Sequence, residues 1–258
     1  ANLRAGDGKP LEKLDVEIAL PSAADAARDR HTRPVSAVDD GFFHALKSPQ
    51  GTSNPVFIGF SSTQLTREVE PNNKPGQAQK VTVPCEVAGQ FFPAADVDTY
   101  VFDAKKGDVF WLEVISNGVG RATSPFLIVQ REGTDIKEVY ATDADPGGKK
   151  FTTLSNDPAF RFEAKEDGAY RVSVRDLIGA TRSNPASTYR LAIRKESPDF
   201  RLVALTEMPP QKKDDRTAVP RGLLLRAGET AAVRVIAIRR DRSEEHTSEL
   251  QSRQYLVC

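Results

Sequence analysis

The stretch "FRFEAKEDGAYRVSVRD", residues 160–176, decides the fold. Phe160 and Phe162 alternate with Arg161 and Glu163, and Tyr170, Val172 and Val174 alternate with Arg171, Ser173 and Arg175. A side-chain period of two puts each set on one face, so both segments read as strands with one dry and one wet side. Between them "AKEDGAY" turns at Gly168, a residue that accepts positive φ without steric cost. "AKKGDV" (104–109) repeats the device at Gly107.

Outward from this hairpin-like pair the pattern continues. "VTVPCEVAGQF", "TYVFDA", "DVFWLEVIS", "PFLIVQR", "IKEVYAT" and "TYRLAIR" complete eight short strand candidates, separated by clusters of Gly, Pro, Asn and Asp. In the last of them Tyr189, Leu191 and Ile193 oppose Arg190 and Arg194. Such spacing predicts an all-β fold, a sandwich or a barrel. "DVFWLEVI" is apolar on both faces and is placed as a central strand. Trp111 is expected in the core, with stacking against a ligand as the alternative.

The flanks read as parts of other β domains. Residues 1–60 are expected to be the tail of a preceding domain, with a strand in "LDVEIAL" (14–20) and a short helix or an alanine-rich loop in "PSAADAARDR" (21–30). A linker is expected over 61–67 and another over 196–218, the second beginning with the strand-like "FRLVAL". The run 219–241, with "TAAVRVIAIRR", starts a further β domain.

Composition narrows the function. Thirty-six basic residues balance thirty-six acidic ones, so the electrostatic term that drives nucleic-acid or anionic-membrane binding is missing. No apolar run approaches the roughly 18 residues of a membrane-spanning helix. The two cysteines, Cys85 and Cys258, make neither a disulfide framework nor a metal-ligand spacing. The histidines are His31, His44 and His246, and no G-x-S-x-G, H-E-x-x-H or C-x-x-C occurs. Asp143 and Asp145 in "ATDADPGG" read as an acidic turn, and no catalytic residue is assigned.

The run "EVEPNNKPGQAQKVTVPCEVAGQFFPAADVDTYVFDAKKGDVFWLEV", together with "FRFEAKEDGAYRVSVRD" and "TYRLAIR", resembles the bacterial pre-peptidase C-terminal domain over about residues 68–195. That family opens on E-x-E-P-N-(N/D), carries a D-x-D-x-(Y/F)-x-F strand and closes on D-G-x-Y-x-(V/L)-x-V. The resemblance implies a jelly-roll-like antiparallel β-sandwich that is secreted or held at the cell surface. It also implies calcium held by the acidic opening motif and the later aspartates, which here are Glu68, Glu70, Asn72, Asn73, Asp96 and Asp98. Carboxylates and amide oxygens on alternate residues suit a cation that takes roughly 6–8 oxygens. A solvated linker at Glu68 and Glu70, a turn at Asn72 and Asn73 and a strand cap at Asp98 are the alternative.

The sequence leaves two functional readings. One is a non-catalytic extracellular module that binds a matrix protein or polysaccharide, or spaces neighbouring domains of the same chain. The other is an accessory C-terminal region of a secreted peptidase, serving export, folding or substrate engagement. Residues 242–258, "RSEEHTSELQSRQYLVC", match no pattern of the rest and resemble the conceptual translation of a short-read sequencing adapter. They are expected to carry no evolved structure, and the chain is expected to be a piece of a longer one.

Overall fold

A computed structural model describes residues 16–22, 40–49, 51–61, 63–134, 137–140, 155–182, 184–205, 226–241 and 254–257. Two compact units divide the chain, the first comprising Ala1–Thr32 and Asp40–Phe60 and the second Arg33–Asp39 and Ser61–Cys258. The acidic turn at Asp143 and Asp145 and the helix-or-loop segment from Ala23 onward lie outside the described residues.

In the first unit, β1 (Gly41–His44), β2 (Lys47–Ser48), β3 (Gly51–Thr52) and β4 (Val56–Gly59) form nested antiparallel pairs, β2 with β3 and β1 with β4. Gly41 is required there, because a Cβ would stand 2.3 Å from the Ile58 carbonyl oxygen and 2.4 Å from the Phe57 ring. The strand expected in "LDVEIAL" is not formed by its described residues, 16–20. Alternation makes a strand only when a neighbour takes the backbone hydrogen bonds and a core takes the apolar face. No described strand pairs with this segment, and Val16 and Leu20 are 41% and 74% exposed.

The second unit is a sandwich followed by a smaller sheet. Its strands are β5 (Gln64–Arg67), β6 (Gln79–Lys80), β7 (Cys85–Gln90), β8 (Val97–Ala104), β9 (Val109–Ile115), β10 (Pro125–Arg131), β11 (Lys137–Tyr140), β12 (Ala159–Glu163), β13 (Gly168–Asp176) and β14 (Thr188–Lys195). One sheet runs β11–β10–β13–β8–β6 and the other β12–β9–β14–β7–β5. All eight strand candidates of the sandwich are present. Pairing is antiparallel except at one edge of each sheet, where β5 runs parallel to β7 and β6 parallel to β8. The stretch expected as a linker before the sandwich thus contributes β5.

The alternation at 160–176 sets the core. Phe160, Phe162, Tyr170, Val172 and Val174 are all buried, and with Phe102, Phe110, Leu112, Leu127, Leu191 and Ile193 they fill the space between the sheets. Phe102 is its aromatic centre, with ring centroids 5.7 Å from Phe110, 6.3 Å from Phe162 and 6.1 Å from Tyr170. Gly107 and Gly168 take φ of 87° and 146° in the two tight turns. These turns lie side by side, for the Lys106 N–H donates to Asp167 Oδ1 at 2.7 Å and the Gly107 N–H to the Ala164 carbonyl. Chain direction along β8 then puts Asp98 toward the opposite end of the sandwich from Gly107.

Trp111 is not in this core. β9 is an interior strand, as expected, but Phe110, Leu112 and Val114 are its inward set, so Trp111 shares the outer face with Glu113. There it is half-buried, flanked in register by Arg161 of β12 and Arg194 of β14.

Beyond the sandwich, β15 (Asp199–Leu205) pairs antiparallel with β16 (Ala231–Arg240), and the other edge of β16 pairs with β17 (Gln254–Val257). A strand edge offers its N–H and C=O groups to any extended segment regardless of side chains, so this last pairing follows from the backbone of β16.

Candidate metal centre

The segment that carries the chain from β5 in one sheet to β6 in the other holds Glu68, Glu70, Asn72 and Asn73. It is fixed at its start by Gln79 on β6, whose Oε1 accepts the Val69 N–H at 2.8 Å and whose Nε2 donates to the Arg67 carbonyl at 2.9 Å. β5 continues its ladder one step further, with the Glu68 N–H donating to the Ala88 carbonyl at 3.0 Å. Glu68 is thereby set beside the end of β7, and its Oε2 accepts the Gln90 N–H at 2.6 Å. Asp96 and Asp98 arrive with the start of β8.

One oxygen of each of Glu68, Glu70, Asp96 and Asp98 lies within 4.8 Å of the others. Asp96 accepts the Phe92 and Val97 N–H groups at 3.0 Å each, and Glu70 Oε2 accepts the Asn72 N–H at 2.8 Å. Among the described residues, no lysine or arginine pairs with any of the four. Asp98 is fully buried and neither of its oxygens receives a well-formed hydrogen bond. Asn72 is likewise 0% exposed, with both its amide oxygen and its amide nitrogen unpartnered. Asn73 is exposed, its side chain hydrogen-bonded to Asp96. All six residues picked from the sequence therefore lie on the two segments that meet here.

Burial and like charge act together on these acids. Burial raises the Asp98 pKa from 3.8 to about 9, with the Glu68 and Asp96 carboxylates adding to the rise. Burial also raises Glu68 against the opposing effect of its hydrogen bonds, and it raises Asp96, helped by Glu70. An unpartnered buried carboxylate costs several kcal/mol unless it is protonated or neutralised by a cation. Four oxygen donors without histidine or cysteine suit a hard divalent ion and disfavour copper, which takes softer nitrogen and sulfur ligands.

Sequence reading missed the wall behind Asp98. Tyr189 on β14 lies against it, and the Tyr189 and Tyr100 hydroxyls are 2.5 Å apart in the core. Gly89 makes room for this arrangement: a Cβ there would stand 2.5 Å from both Glu68 Oε2 and the Tyr189 hydroxyl. Gly89 is legible in the sequence as an interruption of a strand, the mark of a close approach, but nothing local reveals what approaches.

No family model matches this sequence. No curated protein matches it either. Among solved structures, the pre-peptidase C-terminal domain of a collagenase from Bacillus anthracis is 18% identical, covering 48% of this chain and all of its own, with a TM-score of 0.35. CorA, a surface-associated copper-binding protein important in copper acquisition by Methylomicrobium album BG8, is 11% identical over 52% of this chain and all of its own, with a TM-score of 0.28. Both likenesses are weak, and the assignment of a β-sandwich stands on strand order and register.

Proposed function

We propose that the sandwich is a non-catalytic module of an exported bacterial protein, held in shape by a calcium ion at Glu68, Glu70, Asn72, Asp96 and Asp98. The observation that carries this reading is the buried Asp98 carboxylate, grouped with three other acids and without a well-formed hydrogen bond, beside a buried Asn72 whose backbone N–H bonds Glu70 and whose side-chain amide is unpartnered. Four carboxylates and the Asn72 amide oxygen offer five ligand groups, and bidentate contacts would bring the number to the roughly 6–8 oxygens calcium prefers. Such an ion would tie the segment entering the sandwich to the first residues of β8, joining both sheets where each has a parallel edge strand. The role is structural, and engagement of a matrix protein, a polysaccharide or a neighbouring domain is left to the outer surfaces of the sheets.

Thermal unfolding of the chelator-treated protein, with and without added calcium, tests this. At a calcium concentration one hundred times Kd the folded state gains about 2.7 kcal/mol, which for a chain of this size raises Tm by about 5–10 °C. Magnesium, which resists dehydration and demands octahedral geometry, is expected to give a smaller shift. An unchanged Tm in calcium would remove the proposal.

A further inference from the structure

At the far end of the sandwich from the acidic cluster, a second set of buried charges has no part in cation binding. Arg194, on the outward face of β14, donates from Nη2 to Glu113 Oε1 at 2.6 Å and from Nε to Glu113 Oε2 at 3.2 Å. The remaining side of the guanidinium meets Asp241, with Nη2 donating to Oδ1 at 2.8 Å and Nη1 to Oδ2. Glu113 belongs to the sandwich, and Asp241 ends the long strand β16. One guanidinium thus bridges two structural parts, using its fork geometry on both carboxylates.

The surroundings are built for this contact. Asp241 is 5% exposed and has a positive φ of 51°, a conformation uncommon outside glycine. Its Oδ2 also accepts the Ser197 N–H at 2.9 Å, from the connector between β14 and β15. The preceding connector residue, Glu196, accepts from Arg161 Nε at 3.1 Å and from Trp111 Nε1 at 3.4 Å. Arg194 lies over the Trp111 ring, 5.9 Å from its centroid. An outward-facing tryptophan between two arginines is accounted for by this cover.

We infer that Arg194 is the pin of a rigid joint that holds the β15–β16 pair to the outer face of the β12–β9–β14 sheet, so that the sandwich and the strands after it move as one body. The partner surface is supplied by the same chain, and the connector 196–198 is short and tied down at Glu196 and Ser197. Breaking a buried ion pair leaves its partner charge uncompensated, so loss of either end opens the joint without touching the sandwich core.

Trp111 is the protein's sole tryptophan and reports on the joint directly. The test uses the full chain carrying Asp241→Ala, Asp241→Asn or Arg194→Lys, followed by hydrogen exchange and by acrylamide quenching of tryptophan fluorescence. Asp241→Ala is expected to speed exchange in 199–205 and 231–240 on the order of 10- to 100-fold and to increase quenching, with β8 and β13 unchanged. Arg194→Lys, which keeps the charge but loses the fork, is expected to give the same pattern more weakly, and it carries the test should Asp241→Ala not fold. Unchanged exchange in β15 and β16 would overturn the inference. A rise spread equally over β8 and β13 would overturn it too, since Arg194 would then serve the stability of the whole unit.

Discussion

Changing Asp98 to Asn separates the cost of the cluster from its use. With no cation, Asp98 is buried with no well-formed hydrogen bond, and burial, aided by the neighbouring Glu68 and Asp96 carboxylates, pushes its pKa up to about 9 from 3.8. An acid whose pKa is raised on folding contributes stability that is fully present below its unfolded value, here 3.8, and is lost as pH rises through the folded value. The slope across that window is about 1.4 kcal/mol per pH unit, so about 4 kcal/mol is the ceiling between pH 4 and pH 7. Asn has no charge to lose, so in chelator near neutral pH Asp98→Asn is expected to be more stable than the parent by about 1–4 kcal/mol. Its pH profile should flatten without becoming level, because Glu68 and Asp96 are raised in the same sense. In calcium the gap shifts toward the parent by about 2.7 kcal/mol at one hundred times Kd, since the parent gains that much and the variant, short of a ligand, gains little; the order reverses where the advantage in chelator is smaller than this. Urea unfolding followed by circular dichroism, at about pH 5, 7 and 8.5 with chelator or calcium, reads both effects. If Asp98→Asn destabilised the protein equally with and without calcium, Asp98 would be an ordinary packing residue and the reasoning would fail.

Three further substitutions probe other parts of the account. Phe102→Ala empties the centre of the aromatic core and is expected to cost about 3–5 kcal/mol in urea unfolding. Asp157→Ala removes the acceptor of the Ser116, Asn117 and Gly118 N–H groups, at 3.0, 2.8 and 2.7 Å; a loss of about 2–4 kcal/mol is expected, with exchange rising first around residues 116–118. Lys80→Ala breaks an exposed pair with Asp103 at 3.0 Å and is expected to change stability by less than about 0.5 kcal/mol, measured in the same denaturant series.

The sandwich was legible because its strands alternate, and Phe160, Phe162, Tyr170, Val172 and Val174 face the core as their spacing requires. Trp111 was harder, because "DVFWLEVI" is apolar on both faces and Glu113, two residues on, is the one polar residue on its outward side. Its cover comes from Arg194 and Glu196, with Asp241 holding the Arg194 guanidinium, and no local pattern connects them. "LDVEIAL" shows the opposite error, an alternation to which no described strand pairs. For the candidate centre, the acidic residues are visible in two short motifs, and the chain crossing from β5 to β6 brings the motifs together. Tyr189 and Gly89 were not legible as part of it, since their place beside Asp98 and Glu68 depends on the β14–β7 register.

A crystal structure of the protein grown with calcium would show whether the acidic cluster holds an ion. An ion is expected among Glu68, Glu70, Asn72, Asp96 and Asp98, with oxygens at about 2.3–2.6 Å and both Asp98 and Asn72 engaged. Contradiction would be a cluster without an ion at saturating calcium, with Asp98 protonated and hydrogen-bonded to its neighbours.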